Sequence, residues 1–376
     1  MGELGIDVSI LYPSLGLALV SARDTDVRRR ACRALNRYVA AHFADFADRL
    51  IPVATIPTST PGEAVDELAF ATEELGLRAA LIGGFAVRDV PSAPGETWID
   101  SLGLDSLYDY DPLWSDLARR GVVAGVHSVS MGWSGRRSIT NFSYNHLGNF
   151  GGASEATAKS LFFGGVLHRF PALRVAFLEG GVAWAIQQLH DLIGHFHKRG
   201  PAGLDAYAPE QLDVALIDEL LAAYRHTMSP IAGEGERLRK MTIAPIHHDF
   251  EATGIARDSD IIDQYTTCYA FGCEADDPLA SLAFDRKRLP GGRAIAAIFS
   301  SDIGHWDVPD MHNVVPEAYE NIEHGAMTAD EFRDFMCDNT MRLYLSANPS
   351  FFAGTSAESY AAGLLNGSAG AKPALA

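Results

Sequence analysis

Residues 174–184 read RVAFLEGGVAW, and this short stretch contains one repeating unit of the predicted fold. An apolar run over 174–178 ends at Glu179 and two glycines, and helical periodicity follows over 184–197. A short apolar run rich in Val and Ala predicts a strand that is buried on both faces, as in a parallel sheet. The stretch therefore predicts one strand, one tight turn and one helix.

The same alternation of strand and helix recurs along the chain. Six further apolar runs predict strands over 6–12, 50–56, 78–82, 122–127, 269–274 and 294–299. Helical periodicity lies between them, over 27–46, 62–75, 113–120 and 155–167. Strands that alternate with helices form βαβ units, and a chain of this length suits a (β/α)8 barrel. The sequence therefore predicts an α/β fold of the TIM-barrel type with seven recognisable strands, one fewer than a closed barrel needs.

Three stretches fall outside this alternation. Residues 89–112 and 133–152 follow predicted strands, where barrels carry their functional loops, and the stretch from about 200 to 263 is an insertion. The last residues are small and polar. We therefore expect one barrel domain over residues 1–356 and a flexible tail over 357–376.

Composition excludes several classes of partner. The chain has 376 residues, 47% of them hydrophobic, which is enough for a large core. Lys and Arg total 30 against 48 Asp and Glu, and the resulting charge of −18 repels nucleic acid and anionic lipid. The opening residues lack the pattern of a signal peptide or a membrane span. Four cysteines without a CxxC pair fit a reducing compartment, so we expect a cytoplasmic protein.

Three chemically active side chains end predicted strands. His127, Glu179 and Asp302 each follow an apolar run, and in a barrel such residues converge on one mouth. Histidine with carboxylates is the ligand chemistry of Zn²⁺ or a similar divalent ion. Each residue also has a structural interpretation: a hydrogen-bonding His127, a backbone-bonded Glu179, and an Asp302 that caps the next helix. Together the three favour a metal-dependent hydrolase or lyase.

Other motifs are weaker candidates. His195 and His197 lie about 200° apart on a predicted helix, so they indicate a solvated face and not a metal site. The sequence HHD at 247–249 lies in the insertion and could serve as a second site or a lid. The sequence GCEADDP at 272–278 offers a thiol and three carboxylates, but it favours a turn and a helix start. Nucleotide-binding and serine-hydrolase motifs, GxxxxGK[ST], GxGxxG and GxSxG, are absent.

Several longer motifs together resemble one family. They are GIDVSILYPS at 5–14, DPLW at 111–114, the strand-end His127, LHRFPALRVAFLEGGVAW at 167–184, FSSDIGHWDVPDM at 299–311 and ANPSFFAGT at 347–355. Over residues 5–355 the chain resembles the amidohydrolase-related family of metal-dependent (β/α)8 barrels, which includes aminocarboxymuconate semialdehyde decarboxylase. The resemblance implies a barrel with a divalent metal ion, expected to be zinc, at its mouth.

The resemblance also implies roles for particular residues. His127 matches the metal-binding histidine of the fifth strand, and Asp302 matches the aspartate that touches the metal and moves protons. His305 and Asp307 match the polar residues that follow that aspartate. Glu179 stands where the decarboxylases carry a histidine, and as a general base or a positioning group it would replace an imidazole. The implied activity is hydrolysis or decarboxylation of a small carboxylic acid, and the implied assembly is a homodimer.

The family's first strand carries HxH or ExH, and no such strand is found before the family's second strand in this sequence. Three hypotheses follow: an enzyme whose first strand is encoded upstream, a non-catalytic or partner-dependent barrel subunit, and an enzyme that uses His247 or His248 as substitute ligands.

Aromatic residues in the loops near the predicted site suit a planar or apolar acid as the substrate. These are Trp133, Phe142, Tyr144, Phe150 and Trp306. Arg136 and Arg137 are candidates to clamp its carboxylate, or simply solvated surface residues.

Overall fold

A computed structural model describes residues 1–128, 137–204, 213–224 and 248–367. The strands are β1 (Ser9–Leu11), β2 (Leu50–Pro52), β3 (Ala54–Thr55), β4 (Ala79–Ile82), β5 (Ala86–Asp89), β6 (Thr97–Asp100), β7 (Val123–Val126), β8 (Val175–Phe177), β9 (Tyr269–Glu274) and β10 (Ala296–Ser300). The helices are α1 (Ser14–Val20), α2 (Thr25–His42), α3 (Pro61–Ala69), α4 (Asp111–Arg120), α5 (Phe142–His146), α6 (Asn149–Phe163), α7 (Val166–Arg169), α8 (Ala183–Arg199), α9 (Pro201–Leu204), α10 (Val214–Tyr224), α11 (Asp258–Cys268), α12 (Val314–Glu323), α13 (Ala329–Arg333), α14 (Asn339–Ala347) and α15 (Glu358–Leu365).

The main sheet is parallel and has the order β10-β9-β8-β7-β4-β3. Strand β2 precedes β3 with only Val53 between them, and β2 pairs in parallel with β1. Each of the seven predicted strand regions therefore contains parallel strand structure, and a predicted helix lies in each interval that the periodicity indicated. Within the described residues β1 pairs only with β2 and β10 only with β9, so the sheet is open and the barrel is not closed.

Alternate residues of the strands face two different layers. Ala80, Val126, Phe177 and Phe271 belong to the larger apolar cluster, which helices α2, α3, α4, α6, α8 and α11 complete. This arrangement of helices against a parallel sheet explains why the strands read as continuous apolar runs. The arrangement also leaves the opposite face of the sheet to be covered by some other part of the chain.

That opposite face is covered by the C-terminal part of the chain. Leu81 and Val123 of the sheet pack in one cluster with Met341, Tyr344 and Phe351, which come from α14 and the turn after it. The hydroxyl groups of Tyr12 and Tyr344 lie 2.7 Å apart and share a hydrogen bond beneath the sheet. Gly125 of β7 is needed there, because a β-carbon at that position would overlap the ring of Tyr12.

The prediction of a flexible tail over 357–376 is wrong for the first part of that segment. Residues Glu358–Leu365 form α15, and Ala361 is buried against the same cluster as Tyr344. Ala357, Tyr360 and Leu364 also pack against this cluster, which composition alone does not reveal. Residues 368–376 lie outside the described part of the chain.

Only part of the expected insertion is described. It contains α9, α10 and the first part of α11, whereas residues 205–212 and 225–247 lie outside the described ranges. An antiparallel hairpin of β5 and β6 follows β4, in a region where the periodicity had predicted no strand. No helix among the described residues is long and apolar enough to cross a membrane.

Candidate active site

The candidate residues lie at one edge of the sheet. His127 directly follows β7, Glu179 comes two residues after β8, and Asp302 comes two residues after β10. These strands occupy neighbouring places in the sheet, with β9 between β8 and β10. Because all of them are parallel, their carboxyl ends meet at the same edge, where open α/β sheets and barrels bind their ligands.

His127 and Glu179 form a close pair. The imidazole Nε2 lies 2.6 Å from Oε2 of Glu179, and the two side chains are 9% and 14% exposed. The other ring nitrogen, Nδ1, lies 3.2 Å from the carbonyl oxygen of Ser128, which can only accept a hydrogen bond. The two contacts hold the imidazole ring in one orientation, with an oxygen atom at each ring nitrogen.

Asp302, His305 and Asp307 form a second group beside this pair. His305 Nδ1 lies 3.1 Å from Oδ2 of Asp302, and the same nitrogen contacts Oδ1 of Asp307. One ligand atom from each of the three residues lies within 4.8 Å of the others, a spacing that one metal ion could bridge. The next helix, α12, begins at Val314 with Asn313 before it, so the structural interpretation of Asp302 as a helix cap is wrong.

The backbone turns sharply at two of the carboxylates. Glu179 has φ +56° and Asp302 has φ +46°, and only Leu102 and Asp105 share this left-handed conformation among the described residues other than glycine. Such a conformation costs of order 1 kcal/mol or more for a residue with a side chain, and it persists where the surrounding structure enforces it. Both positions lie two residues after a strand, at the same edge of the sheet, so the turns direct these two carboxylates to one place.

Glu274, which ends the predicted strand over 269–274 and was not predicted as a site residue, is a further member of the cluster. It is the last residue of β9. Ala270, Gly272 and Glu274 alternate along this strand and so share one face of the sheet, the face that α14 covers. Loss of hydration raises the pKa of Glu274 to about 7, and the negative charges of Glu179 and Asp302 add to the shift. Strand alternation over 270–274 is the signal that could have identified it.

The remainder of the GCEADDP motif agrees with the predicted turn. Oδ1 of Asp277 accepts a hydrogen bond from the backbone amide of Leu279 at 2.8 Å, and a short 3-10 helix begins at Ala280. Gly272 permits a close approach of neighbouring strands, because a β-carbon there would lie 3.1 Å from Cα of Leu178. The motif therefore combines a turn with a site residue.

Asp302 also has a perturbed carboxyl group. Loss of hydration raises the pKa of Asp302 to about 6; Glu179 raises it further, and His305 acts in the opposite direction. Within the described residues, the ion pairs of Glu179, Asp302 and Asp307 are all with histidines, and neither Lys nor Arg pairs with them. The cluster thus concentrates negative charge that a divalent cation would neutralise.

Other predicted site residues are placed differently. Phe142, Phe150 and Trp306 make ring contacts at the mouth of this cluster, and Tyr144 is 57% exposed. Arg137 is exposed, whereas Trp133 and Arg136 lie outside the described residues.

His195 and His197 do not join the cluster. His195 and His197 are both on α8, where His195 contacts its own helix backbone and His197 pairs with Asp258, as a solvated helix face predicts. Asp249 pairs with Arg199 at 2.8 Å. His247 lies outside the described residues, so its proposed use as a substitute ligand stays a hypothesis.

Comparisons with known proteins agree with the fold. A family model described as amidohydrolase matches residues 12–222. The structure is similar to 2,6-dihydroxybenzoate decarboxylase from Rhizobium, with 17% identity and a TM-score of 0.55, over 92% of this chain and 85% of that one. It is similar to a dihydroxybenzoic acid decarboxylase from Polaromonas sp. JS666 with bound manganese, with 18% identity and a TM-score of 0.53, over 92% and 83% of the two chains. It is also similar to 5-carboxyvanillate decarboxylase from Sphingomonas paucimobilis, with 13% identity and a TM-score of 0.54, over 92% and 80%.

Proposed function

The chain belongs to the amidohydrolase family, and we propose that it is a metal-dependent hydrolase or carboxy-lyase that acts on a small organic acid. One imidazole and three carboxylates, from His127, Glu179, Glu274 and Asp302, lie together at the carboxyl ends of four adjacent strands. This convergence is the observation that carries the proposal, because among the described residues no Lys or Arg pairs with these carboxylates to balance their charge.

His127 and Asp302 are the proposed metal ligands, with Glu179 and Glu274 at the same edge of the sheet. A bound divalent ion would polarise a substrate carboxylate or lower the pKa of a bound water molecule. Carboxylate oxygens outnumber imidazole nitrogens in this set, a composition that suits Mn²⁺ as well as the expected Zn²⁺. The manganese named for the Polaromonas decarboxylase is consistent with that preference.

Asp302, Glu179 and His305 are the proposed catalytic groups. Asp302 would move a proton at the site, and Nδ1 of His305, which lies 3.1 Å from its Oδ2, orients its carboxyl group. Glu179 holds the ring of His127 through the 2.6 Å contact and can position a water molecule or the substrate. In a decarboxylation, a group of this kind would deliver the proton that replaces the departing carboxyl group.

The charge of the site makes the binding of an organic acid depend on the metal ion. An organic acid would be repelled by Glu179, Glu274 and Asp302 in the absence of a cation, since no Lys or Arg among the described residues pairs with them. Binding of a small carboxylic acid therefore depends on the metal ion. The decarboxylases of similar fold are named for benzoate derivatives, which supports an aromatic acid as the first class to screen.

The metal content of the purified chain tests this proposal. After dialysis against metal-free buffer and loading with Mn²⁺ or Zn²⁺, we expect about one tightly held ion per chain and its loss in Asp302→Asn. Asp330→Asn is the matched control, because Asp330 is an exposed carboxylate on α13 that pairs with Arg333. A wild-type chain that retains neither ion contradicts the proposal.

A second candidate function is a partner-dependent or non-catalytic barrel subunit. The unpaired outer edges of β1 and β10 within the described residues favour it, because an open sheet edge can pair with another chain. This candidate expects a stoichiometric partner on purification. A partner-free, monodisperse and metal-loaded enzyme would exclude it, and light scattering of the same sample would test the expected homodimer.

A further inference from the structure

A row of five aromatic rings connects the surface to His127. The ring of Trp306 meets the ring of Phe142 edge to face at 5.4 Å, and Phe142 stacks on His146 at 5.1 Å. His146 meets Phe150 edge to face at 5.2 Å, and Phe150 meets His127 in the same way at 4.8 Å. Every step of the row is a direct ring contact, so the row is continuous from the outside to the candidate metal ligand.

Exposure falls along the row. Trp306 is 67% exposed and Phe142 46%, His146 and Phe150 are half-buried, and His127 is only 7% exposed. The outer pair is formed by two segments far apart in sequence, since Phe142 begins α5 whereas Trp306 lies in the turn after β10. Single exposed aromatic residues need no explanation, but an exposed pair held together across two separate segments at a polar site is typical of a ligand-binding surface.

Both ends of the row reach the carboxylate cluster. At the inner end, His127 pairs with Glu179, and at the outer end Trp306 directly follows His305, which pairs with Asp302. The rings of His305 and Trp306 are also in contact, with centroids 5.9 Å apart. The rings therefore form an apolar wall along one side of a strongly charged site, which places an apolar surface next to the position proposed for the substrate carboxylate.

We propose that Phe142 and Trp306 determine specificity by holding the planar, unsaturated part of the substrate while its carboxylate is bound at the cluster. Ring edges and faces attract another π-system through their quadrupoles, whereas a saturated ring of the same size gains only the burial of its surface. The site would then select a planar carboxylic acid over a saturated one. This inference rests on the proposed function, because the carboxylate of the ligand needs the bound cation.

The test compares benzoate with cyclohexanecarboxylate, two acids of similar size that differ in the aromatic ring. Binding to the full chain loaded with Mn²⁺ is measured by calorimetry or by saturation-transfer NMR. We expect benzoate to bind about 2- to 10-fold more tightly, the size of effect that an aromatic contact contributes beyond burial. Phe142→Leu and Trp306→Leu should each remove most of this preference, while Trp306→Phe should retain it.

The matched control is Tyr38→Leu. Tyr38 stacks on His42 of α2 at 5.1 Å with rings inclined by 17°, much as Phe142 stacks on His146 at 20°, but it lies away from the strand ends. The control should keep the preference for benzoate. Thermal unfolding of each variant shows whether the fold is intact before the affinities are compared.

The outcomes separate this inference from the proposed function. Two results would overturn the role of Phe142 and Trp306 but leave the proposed function standing. One is a chain that retains Mn²⁺ and binds the two acids equally well; the other is a preference for benzoate that is unchanged in both leucine variants. Failure of the wild-type chain to retain Mn²⁺ overturns the proposed function, and this inference with it.

Discussion

Nε2 of His127 and Oε2 of Glu179 lie 2.6 Å apart, although the two residues are separated by 52 positions in the sequence and follow different strands. Adjacent parallel strands bring them together, and the left-handed backbone at Glu179, with φ +56°, turns its side chain toward the histidine. The contact orients the ring of a proposed metal ligand, as outer carboxylates do in metal sites generally.

Replacing that carboxylate tests its role in metal binding. Glu179→Gln keeps the shape of the side chain but removes its charge, and we expect the affinity for Mn²⁺ to fall about 10- to 100-fold. Competition with a fluorescent chelator measures the change. Glu155→Gln is the control, because Glu155 pairs with Lys159 on the surface of α6, and its affinity should equal that of the wild type. Equal affinity in Glu179→Gln would contradict the role.

The stability of the metal-free protein should depend on pH in a defined direction. The pKa of Asp302 is raised to about 6 and that of Glu274 to about 7, so between about pH 4 and pH 7 the folded chain binds more protons at these groups than the unfolded chain does. The free energy of unfolding should therefore decrease as the pH rises through this window. Urea titrations at pH 5 and pH 7.5, in the presence of EDTA, measure the difference.

A variant and a cation can both be used to check the origin of this pH dependence. Glu274→Gln removes one titrating group, and we expect a smaller loss of stability between the two pH values. Saturating Mn²⁺ should also reduce the loss, because a cation stabilises the charged carboxylates. A pH dependence that is the same in Glu274→Gln as in the wild type would show that other groups cause it.

The close packing of Gly125 against Tyr12 predicts a large effect of a single methyl group. Gly125→Ala should destabilise the fold by about 1–3 kcal/mol, because the new side chain would overlap the Tyr12 ring and overpack this layer. Gly62→Ala is the matched control: Gly62 is an exposed residue of α3 with no atom within 4 Å of an added β-carbon, so no destabilisation is expected there. Chemical denaturation of both variants gives the comparison.

The hydrogen bond between Tyr12 and Tyr344 predicts a non-additive double-mutant cycle. Tyr344→Phe leaves the Tyr12 hydroxyl without its 2.7 Å partner, and the expected cost is about 1–3 kcal/mol. Tyr12→Phe with Tyr344→Phe removes both hydroxyl groups and should cost less than the sum of the two single changes. Additive costs would indicate that the two hydroxyl groups do not interact in solution.

Much of the fold and part of the site could be predicted from local patterns. Short apolar runs located all seven parallel strand regions, and polar residues directly after three of them identified His127, Glu179 and Asp302 as site candidates. Glu274 was missed because the DDP that follows it is a strong turn signal, whereas its own signal, the alternation of side chains along β9, extends over few residues. The aromatic residues of the mouth could be named from the sequence, but not their contacts.

Local sequence patterns are enough to identify which segments become strands and helices and which reactive side chains end the strands, because these properties depend on the periodicity of a few neighbouring residues. Three features emerge only when the chain is folded: the sheet is open within the described residues, α14 and α15 cover its second face, and Glu274 joins Glu179 and Asp302. These features depend on contacts between residues far apart in the chain. Their energies come from the burial and charge of the assembled surfaces, which no local pattern contains.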